Sequence, residues 1–189
     1  FGTVYRQAEA EVAPLAIVVH VGDPGVAALD VTNGAAVDGY SEDLVASLAA
    51  ASGGFAVAPG SGTARLHAGD SDNAALLLDF STATAGSIAG SATLSLASDG
   101  GTGADSIDGL GLAALAPATV AVSVAVDNYA QASLTGDPRL VRVDATHYTL
   151  DLGTATHVAG ALTASLAALN SASGPADWLD GSYVLGGGA

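Results

Sequence analysis

The chain has 189 residues, half of them apolar but only 5% aromatic, so its core must be built mainly from Ala, Val and Leu. Nineteen acidic residues against four basic ones give a net charge of −15, which excludes charge-driven binding to nucleic acid or to an anionic membrane surface. There is no cysteine, hence no disulfide framework and no thiolate metal site, and no apolar run approaches the roughly 20 residues of a transmembrane segment.

Residues 1–10, FGTVYRQAEA, have strand character and are expected to be the final strand of a preceding or neighbouring module. The absence of methionine, including at position 1, suggests a processed chain or a segment of a longer product. Val19–Ala36, VHVGDPGVAALDVTNGAA, places alternating residues after a GDPG turn at 22–25. Ser41–Ala50, SEDLVASLAA, starts with an N-capping serine and two acids and sets Leu44 and Leu48 four apart, which allows a short helix there. Turn clusters follow at 58–62 (APGSG) and 69–73 (GDSDN). In SATLSLAS (91–98), Ala92, Leu94 and Leu96 lie opposite Thr93, Ser95 and Ala97. In ATVAVSVAV (118–126), Val120, Val122, Val124 and Val126 share one face. The same period of two runs through Leu140–Val143 and through Tyr148, Leu150 and Leu152, and it marks half-buried antiparallel strands. Many short strands with regular turns argue for an all-β sandwich.

Part of the chain occurs twice. Val19–Ala36 is answered without a gap by Thr156–Ser173, THVAGALTASLAALNSAS, so that His20, Val21, Ala27, Leu29, Asn33 and Ala35 meet His157, Val158, Ala164, Leu166, Asn170 and Ala172. A shorter echo sets Tyr5, Gln7 and Ala8 against Tyr129, Gln131 and Ala132. Self-similarity at a fixed offset marks an array. Taken alone, Ala161–Asn170 suits a helix, but its counterpart alternates like a strand, so both are expected to be strands. The expected organisation is an orphan strand at 1–10, a complete module at 11–133, and an incomplete module at 134–189.

The run from Tyr148 through Leu150, Leu152 and Gly153 to the closing Asn170 resembles the opening strands of immunoglobulin-like modules in bacterial surface proteins. These are often labelled choice-of-anchor domains and are similar in outline to Hydin-type and PapD-type sandwiches. Leu78–Gly100, with Asp79, Ser81, Ala85-Gly86, Gly90 and Ser98-Asp99-Gly100, resembles the later half of such a module, and Phe1–Ala10 resembles a final strand. The resemblance implies an immunoglobulin-like sandwich of seven to nine strands in an exported, repetitive protein, secreted or at the cell surface, of a Gram-negative bacterium. The sorting tail with a membrane helix that often ends such proteins is missing from this sequence.

Gly100–Asp108, GGTGADSID, fits one copy of the calcium-binding nonapeptide, although a single copy has no stacked neighbour to complete the oxygen cage. The simpler reading is an acidic loop between strands. Asp99, Asp105 and Asp108 are the candidate calcium ligands, since calcium takes 6–8 oxygens. His20 and His157 share a repeat position and are expected to pack rather than react. No HExxH, G-x-S-x-G, P-loop or dinucleotide motif occurs, so an enzyme is not expected. Trp178 follows the Gly174-Pro175 turn and is expected to pack with Leu179 at the end of a sandwich. The expected function is structural: a subunit or tandem segment of an extracellular fibre, surface layer or adhesin stalk. Its partner is itself or a flanking module, joined head to tail by donation of the N-terminal strand. Val4, Tyr5, Tyr148, Leu150, Leu152 and Leu166 are the expected assembly residues. The competing expectation is a calcium-stabilised module that binds carbohydrate or another ligand.

Overall fold

The structure is a computed structural model describing residues 3–102, 107–154, 156 and 160–182. It divides into two compact units, Phe1–Val126 and Asp127–Ala189. The fold is all-β, and no helix occurs among the described residues.

The first unit holds β1 (Ala10–Val12), β2 (Leu15–His20), β3 (Val26–Ala28), β4 (Val31–Asn33), β5 (Asp43–Ala51), β6 (Phe55–Val57), β7 (Thr63–Leu66), β8 (Ser71–Asp72), β9 (Leu77–Phe80), β10 (Gly86–Asp99), β11 (Leu112–Ala114) and β12 (Ala118–Asp127). One sheet has the order β2-β12-β10-β5-β7, with β11 also on β10; two smaller sheets run β1-β4-β8 and β3-β9-β6. Leu44, Ala46, Leu94, Leu96, Val120, Val122, Val124 and Val126 of the large sheet are buried against Leu29, Val31, Phe55, Leu78 and Phe80. The sequence alternation therefore becomes a sandwich, with every second residue of β12 facing inward. Small side chains dominate this core, and within it the Phe55 and Phe80 rings stand with centroids 5.9 Å apart.

Residues 41–50 form no helix: β5 spans Asp43–Ala51 and pairs with β10 on one side and β7 on the other. Four is an even number, so Leu44 and Leu48 share a face in a strand as well as in a helix. The ladder at both edges decides the outcome, with one bulge opposite Thr93/Leu94. Val26–Asn33 breaks into β3 and β4, which join different sheets.

The expected orphan strand belongs to the first unit. Arg6 bridges Ser41, and β1 pairs with β4 in the register Ala10↔Asn33 to Val12↔Val31. Ala8 is buried, with its amide donating to Ser98 Oγ at 2.6 Å. The strand enters the sandwich because its small residues and backbone complete β4 and the start of β5. The compact units meet at 126/127, where the sequence reading places its module boundary at 133/134.

The second unit has β13 (Ala132–Gly136), β14 (Leu140–Arg142), β15 (Tyr148–Leu150) and β16 (Leu166–Asn170). β13 pairs with β16, and β14 pairs with β15. Only the last part of Ala161–Asn170, from Leu166, is strand.

Candidate assembly surface

The repeat is built around an asparagine. Asn33 is fully buried at the end of β4. Its Oδ1 accepts from the Glu9 and Ala35 amides, both at 3.2 Å, and its Nδ2 donates to Glu42 O and Leu66 O, both at 3.1 Å. Asn170, at the end of β16, accepts from the Gln131 and Ala172 amides at 3.0 and 3.1 Å and donates to Asp177 O at 2.8 Å. The backbone around the two matches bond for bond. Gly34 N reaches Glu9 O at 2.7 Å, and Ser171 N reaches Gln131 O at 2.8 Å. Arg6 exchanges bonds with Tyr40 O and Glu42 N, as Asn128 does with Pro175 O and Asp177 N. Arg6↔Ser41 and Asn128↔Ala176 are the corresponding parallel bridges. The second unit thus repeats, with β13, β16 and residues 176–177, the junction of the chain before β1, β4 and the lead into β5 seen in the first unit. A side chain that ties three backbone segments fixes their register, because each buried polar group needs its partner.

The alignment of β4 with the end of β16 agrees with the sequence repeat, Asn33 matching Asn170. The first strands align differently. Ala10 and Ala132 stand opposite the two asparagines, so the Tyr5–Tyr129 echo is displaced by two residues. A shift of two keeps every side chain on its face, which is why the sequence tolerated the misalignment.

The two units differ beyond this junction. In the first, the strand after the junction is β5, and its Leu44 is fully buried between Leu66 of β7 and Ser98 of β10. In the second, the described residues include no counterparts of β7, β10 or β12. The Asn170 amide has one acceptor, Asp177 O, where Asn33 has two. The consequence is an apolar groove of about 660 Å³ lined by Leu134, Ala168, Leu169, Trp178 and Leu179 among others. Trp178 does not pack at a sandwich end; it is 98% exposed, because the position equivalent to Asp43 faces no covering strand.

The residues expected to matter fall at separate places. Val4 is exposed, and the Tyr5 ring stands against Tyr40 with centroids 6.0 Å apart, both in the first unit. Tyr148 and Leu150 lie half-buried in β15, with Tyr148 Oη 3.3 Å from Ser133 Oγ. That hydroxyl and the Leu134 backbone hold the phenol below its ordinary value. Leu152 is half-buried and Leu166, in β16, exposed. Asn33, Asn170 and the groove residues were not among the expected assembly residues, although Asn33 and Asn170 were already visible as a repeated pair.

Among the described residues no group of three or more His, Asp or Glu side chains converges as metal ligands. Asp99 is committed to Arg65 Nη1 at 2.5 Å and to the Gly101 amide at 2.8 Å, and these bonds, the amide first, hold its carboxyl below the usual range. Asp108 caps its own turn through the Leu110 amide at 2.8 Å. Asp105 lies outside the described residues. His20 stands 3.5 Å from Asp23, His67 2.6 Å from Asp43 and His147 2.8 Å from Asp144; His157 lies outside the described residues.

No family model and no curated protein matches the chain. Among solved structures it is similar to the ASH / PapD-like domain of human CEP192 (PapD-like domain 7), with a TM-score of 0.37 and 11% identity over 65% of this chain and 87% of that one.

Proposed function

We propose that the chain is a structural subunit or tandem segment of an extracellular bacterial fibre, surface layer or adhesin stalk, and that its second unit is the accepting face of a head-to-tail joint. The observation that carries this reading is the repeated asparagine junction, which presents in the second unit an apolar groove where the first unit has covering strands. A strand laid beside residues 177–182 would bury Leu179 and Trp178 and offer Asn170 Nδ2 the acceptor that Leu66 O gives Asn33. Strand addition of this kind supplies affinity through main-chain bonds and specificity through alternate side chains. The occupant is a strand from a second copy. Residues 6–12 are engaged within their own unit, so donation by the N-terminal strand would require that unit to open. A heterologous joint that does not close propagates into a filament. The acidic, lysine-poor composition and the choice-of-anchor resemblance support export to the surface of a Gram-negative cell.

Sedimentation velocity with Trp178 emission tests the joint. Association beyond the 18.1 kDa chain should rise with concentration and carry a blue shift of the tryptophan, and Leu179→Asp, which charges the groove and keeps the fluorophore, should remove both. A single 18.1 kDa species at every concentration, with unshifted emission, would overturn the proposal.

A further inference from the structure

The first unit contains a carboxyl pair that neither the fold nor the proposed joint requires. Glu42 follows the bridge between Arg6 and Ser41 and is 6% exposed, and its Oε2 is buried without a hydrogen-bond partner. Asp108, on the loop between β10 and β11, likewise has a buried Oδ2 without a partner. The two carboxyls are side-chain neighbours. Gly100 makes the approach possible, since a Cβ there would lie 1.9 Å from Asp108 Oδ1.

We infer that the Glu42 carboxyl carries a proton that it donates to Asp108, and that this proton is an acid-dependent latch fastening residues 107–111 to the start of β5. A hydrogen placed between the two carboxyls gives both orphaned oxygens a partner at once. Glu42 is buried and Asp108 half-buried, and a buried carboxylate facing a second one resists ionising without compensation. The cations of the neighbourhood are turned elsewhere. Arg65 pairs with Asp99 and Asp43, His67 with Asp43, and Arg6 with Asp38. Asp99 adds a further negative charge facing Glu42, and the Ser98 hydroxyl is the one group near it that favours its ionised form. Burial, then Asp108, pushes the Glu42 carboxyl above its ordinary 4.5.

The sign follows from linkage. A carboxyl whose value is raised by folding binds more protons in the native state, so its contribution is complete below 4.5 and is lost as pH rises through the raised folded value. Loss of the Glu42 proton removes the bond to Asp108 and loosens residues 107–111.

The experiment compares melting temperature and hydrogen exchange of residues 107–114 across pH 4–9, as an order-of-magnitude window around carboxyl titration, for the full chain and for Glu42→Gln and Asp108→Asn. The wild type minus Glu42→Gln difference should fall as pH rises, with faster exchange in the loop of the wild type only. Asp108→Asn should flatten the same profile, which guards against a Glu42 variant that fails to fold. Parallel profiles in wild type and both variants would overturn the latch. So would a calcium-dependent rise in melting temperature at fixed pH that Glu42→Gln abolishes, because the pair would then hold a cation in place of a proton.

Discussion

Replacing Asn33 by alanine should unfasten the first unit. The side chain makes four hydrogen bonds to four backbone groups and is fully buried. At about 1 kcal/mol net per bond, with an added penalty for backbone groups left unpaired, the loss is about 3–5 kcal/mol. That is a large share of the stability of a domain of this size. Asn170→Ala removes three bonds from an exposed side chain, where water replaces much of what is lost, so about 1 kcal/mol is expected. Urea unfolding followed by far-ultraviolet circular dichroism, with hydrogen exchange resolved by peptide, separates the units. Trp178, the single tryptophan, reports only on the second unit. Asn33→Asp is an informative control, because it keeps the acceptor at Oδ1 and turns an oxygen toward Glu42 O and Leu66 O. If Asn33→Ala unfolded within about 1 kcal/mol of the wild type, a single lost bond would account for it and the bracket argument would fail.

Two further outcomes follow from the same structure. Gly53 has φ +70°, and a Cβ there would meet Ala89 O at 2.2 Å, so Gly53→Ala should cost about 2–4 kcal/mol through strain and displacement of the β5–β6 turn from β10, read as a lowered urea midpoint. Asp137 is held down to about 2 by its bonds to the Arg139 side chain and amide. Its ion pair is therefore complete above the ordinary 3.8 and lost as pH falls through about 2; a carboxyl-detected nuclear magnetic resonance titration should show that value moving toward 3.8 in Arg139→Gln.

The sandwich class was legible because alternation in 91–98 and 118–126 depends only on which residues face inward, and Val120 to Val126 kept their face in the fold. Ser41–Ala50 was ambiguous for a physical reason: a spacing of four satisfies both periodicities, and the pairing partners that decide between them lie at 63–66 and 92–99. The partners that the first strand finds within its own unit, Asn33 and Ser41, follow it at a distance that local pattern does not encode. Glu42 was invisible as a site, since an acid after a serine reads as helix-start chemistry until burial is known. Asn33 and Asn170 gave a signal in the repeat, but a conserved spacing within one chain does not reveal what a side chain holds.

The asparagine bracket also says where this architecture can change. Ala10 and Asn33 face each other across 23 positions (33 minus 10), whereas Ala132 and Asn170 do so across 38 (170 minus 132). The junction is the same in both, so fifteen residues of difference, 38 minus 23, were absorbed by the connection. The entropic cost of lengthening such a connection grows only slowly. The segment between the two bracketed strands, which carries β2 and β3 in the first unit and β14 and β15 in the second, is thus where length varies while the bracket keeps its register.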